Sequence, residues 1–154
     1  MIEPPRILKT AAVPMAFIPI TVPRSRIQEV MGPGLGEVMA ALKAQGIAPS
    51  GPWFAHHLRM DPALFDFELC VPVTSPVEAT GRVRPGTLPA ATVARTVYHG
   101  PYEGLHAAWR ELGGWLETSG RKPAPSLWEV YLTDPTADPD PSTWRTELNQ
   151  PLVE

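Results

Sequence analysis

Two stretches of this 154-residue chain close on the same pattern, Glu68-Leu69-Cys70-Val71-Pro72 and Glu147-Leu148-Asn149-Gln150-Pro151. Other residues recur in step ahead of them. An apolar stripe at helical spacing stops at Gly46 in one half and at Gly120 in the other, and Pro49 and Pro123 each follow three residues later. An aromatic strand comes next, with Trp53-Phe54 in the first half and Trp128 in the second. Recurrence of several features in one order marks a repeated supersecondary unit. The sequence therefore predicts an α+β fold, a tandem duplication of β-α-β-β halves spanning roughly 5–75 and 80–154 of one 154-residue domain. Two such halves join most simply about a pseudo-twofold axis. The joint antiparallel sheet would carry both main helices on one face and leave a ligand cleft on the other.

Local signals assign the elements. Ala12 to Val22 is apolar but holds Pro14 and Pro19, which donate nothing to a ladder, so an edge or bulged strand is expected. The main run of the first helix is expected to start near Pro33, with Leu35, Val38, Met39 and Leu42 on its buried face, and Ser25–Met31 is open to a preceding helical turn. Strands over Gly51–Leu58 and Phe65–Val73 read as a hairpin, followed by a short strand at Gly81–Arg84 and a longer one over Ala90–His99. The second helix opens at Gly100-Pro101-Tyr102-Glu103 and buries Leu105, Ala108, Trp109, Leu112, Trp115 and Leu116. Strands containing Glu129 and spanning Trp144–Leu152 complete the chain.

Composition narrows the function classes. Hydrophobic residues at 44% are enough for a core, and a net charge of −3 disfavours a nucleic-acid binder, which carries a basic face. No apolar run reaches the length of a membrane span, and Met1-Ile2-Glu3-Pro4-Pro5-Arg6 has no basic start leading into an apolar core. A cytoplasmic location is expected. Cys70 is the only cysteine, which excludes an internal disulfide and a Cys-based zinc site. His56 and His57 are adjacent on a strand and point to opposite faces, so no metal is expected between them. The Asp-Pro pairs beginning at Asp134, Asp138 and Asp140 read as stiffened loops rather than a calcium site. No cofactor is expected.

Leu127-Trp128-Glu129-Val130-Tyr131-Leu132 sets one carboxylate mid-strand in a run otherwise fit for burial. A buried, unpaired carboxylate is costly. Glu129 therefore faces water, has a partner inside the protein, or meets a ligand. Counting the halves about 75 residues apart sets Phe54 opposite Glu129 and His56 opposite Tyr131. A groove lined by these four would suit flat, lipophilic cations, which aromatic faces and a carboxylate both attract. A slip of one residue would bring in Trp53 instead of Phe54. Tyr98 is a further candidate for its wall.

His99-Gly100-Pro101-Tyr102, the run Trp128 to Pro135, Glu147 to Leu152, and Gly46-Ile47-Ala48-Pro49 with Gly51-Pro52-Trp53-Phe54 resemble the gyrase-inhibitor-like small-molecule-binding domains. These also form the effector-binding part of AraC- and MerR-type regulators. The resemblance covers nearly the whole chain and implies the duplicated fold. It also implies that Glu129, in the family's Glu-x-Tyr motif with Tyr131, faces the pocket and meets cationic ligands. The regulators carry a DNA-binding helical domain ahead of this one that the sequence lacks, so no direct nucleic-acid partner is expected. Two main readings stay open. One is a stand-alone cytoplasmic protein that senses or sequesters hydrophobic or cationic small molecules. The other, implied by similar stand-alone members, is a hydrolase of cyclopropane-bearing natural products with Glu129 catalytic. A protein–protein inhibitor of a topoisomerase-like partner stands third.

Overall fold

The computed structural model describes residues 2–133 and 139–153. The Asp-Pro pairs at Asp134 and Asp138 lie outside the described residues. In chain order the elements are β1 (Arg6–Thr10), β2 (Val13–Pro23), α1 (Ile27–Ala44), β3 (Phe54–Met60), β4 (Leu64–Pro72), β5 (Arg84–Leu88), β6 (Ala91–His99), α2 (Leu105–Thr118), β7 (Leu127–Tyr131) and β8 (Arg145–Pro151). They form two compact units. Residues Ala11–Ala90 make one, called here the first unit; the remaining residues, β1 included, make the second.

Both helices end in the same way. Gly46 has φ +69° and Gly120 φ +70°, the left-handed conformation that costs a glycine nothing. Each begins a paired cap: the Ile47 and Gly46 N–H groups donate to Leu42 and Lys43, and those of Arg121 and Gly120 to Leu116 and Glu117. The chain then turns into its next strand through matching contacts. Pro49 bridges Val73 and Pro123 bridges Leu152. The Ser50 N–H donates to the Pro72 carbonyl at 2.9 Å, and the Ala124 N–H to the Pro151 carbonyl at 2.8 Å.

The strand ladders repeat as well. The first unit has the antiparallel order β3-β4-β2-β5, and the second has β7-β8-β6-β1. Each sheet is therefore completed by a strand that the chain supplies from beyond the other three. Phe54 pairs with Cys70, and Trp128 pairs with Asn149. Since Cys70 and Asn149 hold the same place in the recurring Glu-Leu-x-x-Pro segment, Phe54 corresponds to Trp128, Ala55 to Glu129 and His57 to Tyr131. The 75-residue count is off by one, and the ladder sets the two strands 74 positions apart. Phe54 and His56 correspond to Trp128 and Val130, on the opposite strand face from Glu129 and Tyr131.

Three other expectations need correction. The first helix starts at Ile27 and runs through Pro33, which forfeits one backbone bond rather than ending it. Its buried face is Gly34, Val38, Ala41 and Leu42, while Met39 is exposed. Gly34 lets α1 approach the sheet: a Cβ there would stand 3.0 Å from Leu69 Cδ1 and 3.2 Å from Ile18 Cδ1. The strand at Ala12–Val22 is not an edge over its first half, because β5 pairs with Val13–Phe17 while β4 takes the other side. Pro19 falls past the end of that β5 pairing and is exposed, which is how the strand tolerates it. The short strand expected at Gly81–Arg84 is β5, displaced to Arg84–Leu88. Among the described residues no helix is long and apolar enough to cross a membrane.

Candidate functional site

The second unit holds Glu129 and Tyr131. Its helix buries Ala108, Leu112 and Leu116 against Ala94, Tyr98 and Leu148 of the sheet. Leu148 stands directly opposite Glu129 in the ladder, and Thr146 opposite Tyr131. Directly opposed residues share a sheet face, so Glu129 and Tyr131 face α2. The expected cleft lay on the face away from the helices; the carboxylate is not there.

Glu129 is 8% exposed and holds partners inside the protein. The Trp109 indole Nε1–H, from the side of α2, donates to its Oε2 at 2.6 Å. The Tyr131 hydroxyl donates to its Oε1 at 3.0 Å. Among the partners of its two oxygens are thus an indole and a phenol, both uncharged aromatic donors. Donors of this kind spread the negative charge without neutralising it. Burial, and then the charge and hydrogen bond of Glu129, hold the Tyr131 phenol protonated well above the ordinary value of 10.0. Tyr131 is consequently a fixed donor across the physiological range.

More aromatic rings extend from this pair. Tyr102 meets Tyr131 edge-on, with centroids 5.9 Å apart at 77°, and lies 5.0 Å from the Trp144 ring at 34°. Tyr102 sits in a short 3₁₀ turn, Tyr102–Gly104, ahead of α2, and Trp144 follows another over Pro141–Thr143. Tyr98 underpins this corner. Its hydroxyl donates to the Pro101 carbonyl at 2.8 Å, and a Cβ at Gly104 would overlap that hydroxyl, at 1.9 Å. Glycine is required at 104 for the tyrosine to fit. Tyr98 is thus a buttress rather than an open wall, with its phenol pushed upward by burial and by Glu103.

The first unit carries the other candidates. Phe54 is buried at 3% exposure. Half-buried His56 shares a hydrogen bond with Glu68, Nδ1 to Oε1 at 3.0 Å. His57 packs against Phe65 and Phe67 with centroids 5.6 and 5.2 Å apart. Trp53 is half-buried just ahead of β3 and corresponds to Leu127. Burial pushes the Cys70 thiol far up, so it is no nucleophile. The sequence treated Trp109 only as core and singled out neither Tyr102 nor Trp144 for the site. A signal for Trp109 was present, since an indole on an apolar helix stripe needs an acceptor for its N–H, and the adjoining strand offers one carboxylate. A cavity elsewhere in this unit, lined by Ile2, Glu3, Pro4, Pro5, Glu111 and Trp115, includes none of the candidates.

Solved structures share this architecture. The C-terminal domain of EcmrR superposes with a TM-score of 0.86 at 22% identity, over 98% of both chains. Against EcmrR in its DNA complex the TM-score is 0.85 at 23% identity, and this chain spans 58% of that one. SAV2435 bound to tetraphenylphosphonium gives 0.66 at 10% identity, covering 98% of this chain and 94% of that one. A hydrolase from Listeria innocua gives 0.67 at 13%, covering 97% and 91%. At these identities the likeness speaks for the fold. No curated protein matches the chain. The model of the GyrI-like small molecule binding domain matches residues 3–153. On that span, the chain belongs to the GyrI-like family of small-molecule-binding domains.

Proposed function

We propose that this domain binds amphipathic organic cations and senses or sequesters them in the cytoplasm, with Glu129 as charge partner and the rings of Trp109, Tyr131, Tyr102 and Trp144 as apolar wall. The observation that carries the reading is the buried carboxylate whose two oxygens accept from an indole and a phenol. An organic cation is drawn to the carboxylate by charge, and aromatic faces add cation–π attraction of about 0.5–2 kcal/mol. The tetraphenylphosphonium held by SAV2435 is a ligand of this chemical kind. Tyr98 contributes by fixing the turn that carries Tyr102. The domain acts without contacting nucleic acid itself.

The test is a thermal-shift titration with tetraphenylphosphonium, since a ligand at about 100 times its Kd adds roughly 2.7 kcal/mol of stability. A saturable rise in Tm is expected. No rise up to millimolar cation contradicts the reading.

A hydrolytic reading is favoured by one observation, the Tyr131 hydroxyl on Glu129 Oε1, which pairs a carboxylate with a positioned proton donor. It would act on strained cyclopropane-bearing compounds. In that case Glu129→Gln would leave binding near wild type while lowering turnover by about 10²–10⁴-fold, followed by chromatography of the product. Binding without turnover in the wild type excludes it.

A further inference from the structure

Thr146 lies at the centre of the same sheet face. It is directly opposite Tyr131 on β7 and directly opposite Tyr98 on β6. Glu129 is its diagonal neighbour across the β7–β8 pair, a separation of roughly 7–8 Å. Its side chain is fully buried, at 0% exposure. Among the described residues its hydroxyl has no hydrogen-bond partner.

That state has a cost. A buried hydroxyl gives up its water and here finds no protein partner among the described residues, and native structures hold few such groups. The O–H groups of the two flanking phenols point elsewhere, Tyr131 donating to Glu129 and Tyr98 to the Pro101 carbonyl. Valine would fill nearly the same volume on a strand at no polar cost. In the first unit the corresponding place, opposite His57 and Ile20, is held by Phe67, fully buried and apolar. The matched position thus does not need a hydroxyl for folding.

We propose that Thr146 is a ligand-contacting residue of the Glu129 site. Its hydroxyl donates a hydrogen bond to an acceptor oxygen of the bound molecule. The site then selects cations that carry a carbonyl, ester or ether oxygen a few bonds from their charge. This rests on the cation-binding reading above and adds a second polar pole to it. Glu129 takes the positive centre, and Thr146 takes the acceptor.

The experiment uses the full chain and a matched pair of cations, (3-acetoxypropyl)triphenylphosphonium and hexyltriphenylphosphonium, which differ in the ester. Calorimetric titration is run on wild type, Thr146→Val, Thr146→Ser and Glu129→Gln. Thr146→Val is expected to bind the ester cation about five- to tenfold more weakly, the share of one hydrogen bond, and the hexyl cation within about twofold of wild type. Thr146→Ser restores ester preference, and the Tm of Thr146→Val is equal to or above that of wild type. Equal loss for both cations, or no loss for either, overturns the proposal and leaves Thr146 as packing. If Glu129→Gln weakens both cations while Thr146→Val changes neither, only this inference falls. If wild type binds neither cation, the cation-binding reading falls and this one with it.

Discussion

The two units share strand order, ladder register and helix caps, and differ in what stands on the sheet face beneath the helix. In the first unit the four matched positions are Ala55, His57, Phe67 and Ile20; in the second they are Glu129, Tyr131, Thr146 and Tyr98. Counted from the glycine stops, Leu35 on α1 matches Trp109 on α2. One set is apolar apart from a histidine stacked on phenylalanines. The other is polar throughout, with Tyr131 hydrogen-bonded to Glu129, Tyr98 to the Pro101 carbonyl, and Thr146 between the two tyrosines. The framework is what the two units have in common, and the polar side chains on this face are particular to one of them. Function of this kind sits in side chains grafted on a fold.

The largest way to break the comparison is to move the carboxylate. Ala55 is fully buried, and Ala55→Glu would introduce a charge where the Trp109 match is the apolar Leu35 and the Tyr131 match is His57, packed on Phe65 and Phe67. A loss of about 3–5 kcal/mol is expected in urea denaturation, the cost of an uncompensated buried charge. A loss under about 1 kcal/mol would mean that the two faces are interchangeable. The converse change, Glu129→Ala, strands the Trp109 N–H and the Tyr131 hydroxyl. The expected cost is about 2–6 kcal/mol, from roughly 1–3 kcal/mol for each of the two donors.

Much of this framework was legible in the chain. Gly46 and Gly120 are legible stops because φ near +70° admits little else, and the recurring Glu-Leu-x-x-Pro segments fall on the matching strands β4 and β8. The strand register was misread because Trp53 and Trp128 look alike, whereas the ladder matches Trp128 with Phe54. The glycine and proline stops, 74 apart in both cases, already carried the right count. Glu129 was legible as an anomaly, one charge in an apolar strand. Its direction was not, because alternation gives two faces without saying which one a helix covers. Thr146 was invisible, since threonine is ordinary in a strand and only its missing partner sets it apart. The helix start was misjudged from Pro33, which tertiary contact at Gly34 on Leu69 and Ile18 overrides.

The caps sharpen the shared half of the comparison. Gly46→Ala and Gly120→Ala each force a side chain into the left-handed region, at about 1–2 kcal/mol. The two losses should agree within about 0.5 kcal/mol if the framework is common; a large gap would break the equivalence.

Tyr131→Phe has the smallest effect, and it depends on pH. At neutral pH it removes one hydrogen bond, about 0.5–1.5 kcal/mol. The Tyr131 phenol is held above 10.0 by burial and by Glu129, so the unfolded chain releases that proton first as pH rises. The stabilisation is complete below 10.0 and is lost as pH climbs beyond it. Denaturation at pH 8 and pH 11 should show the wild-type advantage shrinking at the higher value. An advantage that grows with pH would reverse the assignment.

The most direct test is a titration of wild type and Glu129→Gln with tetraphenylphosphonium and with neutral triphenylphosphine oxide. Glutamine removes the charge but keeps the shape and one acceptor oxygen, for the Trp109 N–H, while its amide N–H can donate to the Tyr131 hydroxyl oxygen. The cation should bind about five- to 150-fold more weakly to the variant, equivalent to about 1–3 kcal/mol, with the neutral compound changed by less than about twofold. Equal affinities of both proteins for the cation, or equal losses for cation and neutral compound, would contradict Glu129 as the charge partner.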